Sequence, residues 1–315
     1  MLGHIGEIAG AGAFAVAGVV AGVSQFGFNR ITCSRKLTTD QCFELMEHLS
    51  MYSRADFDRL AKEDAEIVSR DGLKLRGYYI EPFPEERRVV IIVHGYTLAH
   101  PWAMPFVEMF TRERFNALVV DQRAHGRSEG KFTTYGFYEK FDIAGWVEWV
   151  RKRKGEDCLI GLHGTSLGGG TVLEFTRLNP NVGFIIADCP YSDLGELVRY
   201  QIRNIYKAPV YPFYPMIDLM LRCRARFRFA DVRPITAVRD CGLPIMFVHG
   251  GADDFVPTWM SERMYEAKRK GMKKLLIVEG AAHGGAYGAG RQLYEREARE
   301  FVRAAIFGSA TYASV

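Results

Sequence analysis

The sequence predicts an α/β protein with a mostly parallel central sheet flanked by helices. Three observations lead there. Short strand-like runs alternate with helical patterns through most of the chain. Several of those runs are apolar without a break, as in Arg88 to His94 (RVVIIVH), the pattern of a strand covered on both faces. Strands that alternate with helices are joined by crossovers, and such connections build parallel pairs.

The first element is an apolar segment. From Ile8 to Phe28 no charged residue occurs; Gly6-x-x-x-Gly10 overlaps the start of this run and Gly18-x-x-x-Gly22 lies within it, both small-residue spacings. It is long enough to span a bilayer, for which roughly 20 residues suffice. Glu7 and His4 precede it, whereas Arg30, Arg35 and Lys36 follow. That charge order argues against a cleaved signal and would leave the remainder cytoplasmic. The segment is therefore an expected membrane anchor, with an apolar helix packed on the protein's own surface as the competing reading.

Thr38 with Gln41 marks a helix start, and a short helix is expected from Ala55 to Lys62. Two strands, Ala65 to Ser69 and Leu73 to Ile80, flank the hairpin signal Arg70-Asp71-Gly72. Further strands are expected at Arg88 to His94, Asn116 to Asp121, Cys158 to His163, Gly183 to Asp188, Pro244 to His249 and Lys274 to Glu279. Helices are expected near Ala103 to Arg112, Tyr138 to Lys152, Leu167 to Leu178 and Gln292 to Phe307. Pro190 to Arg233 breaks the rhythm. It is too long for an ordinary connection and rich in tyrosine and arginine, which predicts a helical cap. The expected organisation is thus an apolar helix over 1–36, a helical lead-in over 37–64, a core in two parts over 65–189 and 234–315, and the cap over 190–233.

Composition excludes several classes. A net charge of +4 on 315 residues is too mild for a nucleic-acid binder. The six cysteines are scattered with no Cys-x-x-Cys pair, which argues against a disulfide scaffold or a zinc site. Cys158 and Cys189 read as buried thiols. No cofactor is expected, and the oligomeric state stays open.

The chemistry is carried by strand ends. Gly164-Thr165-Ser166-Leu167-Gly168 matches G-x-S-x-G between an apolar strand and a helix, where a sharp turn can thrust a serine hydroxyl outward. Asp253 follows the next strand but one and is preferred to Asp254 as the orienting acid. His283, the one histidine after that acid, is expected as the base. Oxyanion donors are expected from the backbone N–H groups of Tyr96, after the strand ending at His94, and of Leu167. His94, Tyr191, Tyr206, Tyr211 and Tyr214 are candidate substrate contacts.

Five stretches, HGYT (94–97), DQRAHGRSEG (121–130), HGTSLGGGT (163–171), HGGADDFVP (249–257) and AAHGG (281–285), resemble the bacterial α/β-hydrolases of serine-aminopeptidase-like or lysophospholipase-like type. The similarity covers about residues 65 to 307 and is greatest to a branch with an N-terminal apolar segment. It implies Ser166, Asp253 and His283 as the catalytic triad, and leaves the substrate open among esters, thioesters and peptides. The expected partner is a small ester or lipid-like substrate. A peptidase would need a carboxylate for the substrate amine, such as Glu196 or Asp193. The reading from another class is a membrane-associated binding protein without catalysis.

Overall fold

A computed structural model describes residues 18–308. Its centre is an eight-stranded sheet in the order β1-β2-β4-β3-β5-β6-β7-β8. The strands are β1 Glu63–Val68, β2 Lys74–Ile80, β3 Arg88–Val93, β4 Asn116–Val120, β5 Leu159–Thr165, β6 Phe184–Asp188, β7 Ile245–Gly250 and β8 Lys273–Val278. β1 and β2 form the expected hairpin, with Ala65 opposite Gly77 and Gly72 turning at φ +86°. The β1–β2 and β2–β4 pairs are antiparallel, and the remaining five pairs are parallel.

Alternation along each strand builds two cores. Val90 and Ile92 of β3 face one side with Ala117 and Val119 of β4. Val89, Ile91 and Val93 face the other with Leu118 and Val120. That is why the β3 run is apolar at every position: both faces are roofed by helices. Each fully buried Val or Ile contributes about 1.5–3 kcal/mol relative to exposure.

The helices are α1 (18–32), α2 Thr39–His48, α3 Arg54–Arg59, α4 Met104–Thr111, α5 Glu139–Lys154, α6 Leu167–Phe175, α7 Leu194–Asn204, α8 Phe213–Met220, α9 Pro234–Val238, α10 Trp259–Ala267, α11 Ala286–Ala289 and α12 Arg291–Phe307. α2 starts where the sequence places it: the Thr38 hydroxyl accepts from the Gln41 N–H, and the Gln41 side chain returns a bond to the Thr38 N–H. The stretch between β6 and β7 folds into α7, α8, a wide helical turn at Leu221–Ala225 and α9. With α1 it builds a third apolar cluster, including Phe28, Leu197, Ile217 and Phe229.

The expected anchor over 8–28 lies only in part on the described residues. Residues 8–17 lie outside the described residues. The rest belongs to α1, which buries Ser24, Phe28 and Thr32, one face at i, i+4 and i+8. Among the described residues no helix is long and apolar enough to cross a membrane. The described part of α1 meets the protein on two sides. One side of α1 packs into the third cluster, and another lines the cavity described below.

Candidate active site

β5 delivers Ser166 at φ +54°, ψ −111°, a left-handed turn that a serine adopts only when its surroundings enforce it. The flanking glycines are required by space. A Cβ on Gly164 would stand 2.3 Å from the Gly168 carbonyl oxygen, and one on Gly168 would stand 2.1 Å from that of Val93. The Ser166 N–H donates to the Asp188 carbonyl at 2.7 Å, which fixes the turn against β6.

Three loops bring the predicted residues together. Ser166 Oγ lies 2.8 Å from His283 Nε2, and His283 Nδ1 lies 2.7 Å from Asp253 Oδ2. Asp253 is itself held. Its Oδ1 accepts from the N–H groups of Phe255 at 3.0 Å and Val256 at 2.9 Å. Burial alone would raise its pKa, but bonds from His249, His283 and the Val256 N–H hold the carboxyl well below the usual range. The rival Asp254 is exposed and caps no helix, since α10 begins after Thr258 without a side-chain cap.

The loop after β3 runs against the elbow. A Cβ on Gly95 would lie 3.5 Å from Ser166 Cβ. Among the described residues, neither the Tyr96 nor the Leu167 N–H has an acceptor, so both are free to receive one. His94 is corrected from a substrate contact to a buried strut. Its Nδ1–H donates to Gly95 O at 2.8 Å, and its Nε2 accepts from the Gln122 N–H at 3.0 Å.

A cavity of about 440 Å³ opens beside Ser166 and His283. Its walls are mainly apolar: Leu194, Leu197, Val198 and Ile202 of α7, Phe213 and Ile217 of α8, and Val23, Phe26, Gly27 and Ile31 of α1. Those α1 positions recur at spacings of three and four, which is one helix face. Tyr191 and Tyr206 line the cavity as expected, whereas Tyr211 and Tyr214 do not. Tyr211 is largely exposed, and Tyr214 stacks on Phe229 at 4.8 Å as part of the third cluster's own packing. Among the described residues no Asp or Glu lines the cavity, and Arg30 supplies a cation. Glu196 pairs with Arg263 at 2.9 Å and Asp193 with Arg233 at 2.7 Å.

Sequence reasoning missed His249. Its Nε2 lies 2.8 Å from Val256 O and 3.1 Å from Asp253 Oδ2, with Nδ1 2.7 Å from Ser261 Oγ. It thereby braces Asp253 at Oδ2, the same carboxylate oxygen that His283 meets. Its place at the end of β7, four residues before the acid, was the available signal. Phe255 was missed as well; its ring lies 5.1 Å from that of His283. Cys189, Asp253 and His283 have ligand atoms within 4.8 Å of one another, the one such group among the described residues. Asp253 and His283 are already bonded to each other there, and burial pushes the thiol well up.

An α/β sheet with a serine on a strand-to-helix elbow at its carboxyl edge defines the hydrolase class. The chain belongs to the α/β-hydrolase superfamily. The family model described as alpha/beta hydrolase fold matches residues 88–208. The chain is 34% identical over 248 residues to the uncharacterized protein YqkD of Bacillus subtilis, covering 78% of this chain and 81% of that one. It is 23% identical over 239 residues to the uncharacterized protein YfhR of Escherichia coli K12, covering 71% and 74%. Among solved structures it resembles the Pyrococcus furiosus esterase Pf2001, with TM-score 0.64, 24% identity and coverage of 80% and 95%. It also resembles Est1E of Butyrivibrio proteoclasticus, solved with ferulic acid, with TM-score 0.60, 22% identity and coverage of 77% and 99%. These two share the fold.

Proposed function

We propose that the protein is a serine hydrolase that cleaves carboxylic esters bearing an apolar acyl group. The carrying observation is the hydrogen-bond chain Ser166–His283–Asp253, at 2.8 and 2.7 Å, opening into an apolar cavity. His283 takes the proton of Ser166 as the hydroxyl oxygen attacks the ester carbonyl carbon. Asp253 fixes the tautomer with Nδ1 protonated and stabilises the imidazolium. The Tyr96 and Leu167 N–H groups receive the developing oxyanion, each worth about 3 kcal/mol by analogy with measured donors. The imidazolium then protonates the departing alcohol oxygen. Water, deprotonated by His283, attacks the acyl-enzyme and releases the acid and the free serine.

The wall composition favours an ester over an N-terminal peptide, because among the described residues no cavity carboxylate offers to hold an ammonium. The 190–233 stretch acts as a cap in this reading, since α7 and α8 provide much of that wall. The fold shared with the esterase Pf2001 agrees with this reading.

The test is Ser166→Ala against a series of p-nitrophenyl esters and a fluorophosphonate probe. Turnover and labelling should both vanish; retention of either refutes the assignment of the nucleophile.

A further inference from the structure

The tetrahedral oxyanion must meet an N–H that is already in place, because donors that have to move into position lose much of their effect. Tyr96 carries one of those N–H groups and sits in a loop with little regular structure of its own. What holds the loop comes largely from the N-terminal helix α1.

The last carbonyls of a helix lack partners within it and must find others. At the end of α1 two of them are taken by tyrosines of the site. The Tyr96 hydroxyl donates to Arg30 O at 3.0 Å and accepts from the Ser34 N–H at 3.3 Å. The Tyr135 hydroxyl donates to Ile31 O at 3.0 Å, and its ring lies 5.7 Å from that of Tyr96. The next residue of the loop, Thr97, has φ +64°, which is uncommon for a β-branched side chain and persists only where surroundings impose it. Both of its backbone groups are pinned. Its carbonyl accepts from the Leu37 N–H at 2.8 Å, and its N–H donates to His125 Nε2 at 3.3 Å. The segment that follows α1 therefore clamps the loop immediately after the Tyr96 N–H, and the Tyr96 side chain clamps it at Tyr96 itself.

We propose that the Tyr96 hydroxyl, bonded to the end of α1, is a positioning group that holds the Tyr96 N–H for the oxyanion. The proposal rests on the catalytic reading above. It assigns α1 a second task beside lining the cavity: seating the helix completes the catalytic loop.

Tyr96→Phe removes both hydroxyl bonds and keeps the ring and the N–H. With p-nitrophenyl butyrate, kcat should fall about tenfold while KM stays within about twofold, since the loss falls on the transition state. A trifluoromethyl ketone, which forms a tetrahedral adduct on the serine, should lose affinity by about the same factor. Binding of the product-like butyrate should hardly change. An unchanged kcat overturns the proposal, as does a rise in KM at constant kcat, which would make the hydroxyl a cavity wall only. An equal loss of affinity for ketone and butyrate likewise overturns it. Ser166→Ala assayed alongside separates the two levels. Turnover in that variant defeats the catalytic reading, whereas an inactive Ser166→Ala beside an unimpaired Tyr96→Phe defeats the positioning role alone.

Discussion

Asp188, at the end of β6, offers a sharp test of the electrostatics beneath the candidate active site. It is buried, neither carboxyl oxygen has a hydrogen-bond partner of good geometry, and burial pushes its pKa up to about 7. His249 and the nearby Tyr294 hydroxyl ease the ionised form, while the Asp253 charge opposes it. An unfolded aspartate titrates near ~3.9, so the folded state binds the extra proton between about pH 4 and pH 7. The folded value is the higher one. The stability this group confers is therefore present below the unfolded pKa and is lost as pH rises through 7. A gap of about 3 pH units at ~1.36 kcal/mol each is about 4 kcal/mol. Asp188→Asn fixes the neutral state. An orphaned amide adds a cost of about 1–3 kcal/mol, but that cost does not vary with pH. Urea unfolding of both proteins at pH 5, 6, 7 and 8 should show the variant gaining on the wild type by about 3 kcal/mol, nearly all of it between pH 5 and pH 7. The difference between the two removes the contribution of groups that titrate alike in both. A stability difference that stays flat from pH 5 to pH 8 would refute the reasoning.

Gly168→Ala should be severe, because its Cβ would stand 2.1 Å from Val93 O and 2.8 Å from His94 O, both backbone atoms. Relieving that contact displaces the loop after β3 by about an ångström, so kcat/KM should fall roughly 100-fold; an active, normally stable Gly168→Ala would contradict the packing described. Val23→Trp narrows the cavity from the α1 side. Octanoyl esters should lose about tenfold in kcat/KM, the equivalent of two methylenes no longer buried, with acetyl esters unaffected; equal losses for both chain lengths would remove α1 from the substrate site.

Much of the fold is legible because its rules are local. An apolar run such as RVVIIV has few ways to be satisfied, and all eight strands fall where such runs or alternating pairs predict them. The residues Ser166, Asp253 and His283 are legible for a related reason: the chemistry requires these residue types at strand ends in a fixed order. What could not be read is which surface an apolar helix meets. Val23, Phe26 and Ile31 carry the same hydropathy whether they face lipid, core or cavity, so the anchor expectation and the cavity wall are indistinguishable in sequence. The tyrosines divide in the same way. Tyr191 and Tyr206 reach the cavity while Tyr214 packs on Phe229, a distinction made by the path of α7 and α8 rather than by residue type. His249 escaped because its role depends on Asp253 already being in place.

The tethers of α1 all reach far along the chain: to Tyr96, 66 residues on, to Tyr135, 104 on, to Tyr206, 176 on, and from Gln25 to Arg224, 199 on. The helix is thus seated by the assembled domain rather than by its own neighbours in sequence, and whatever loosens that seat reaches the cavity wall and the Tyr96 loop together.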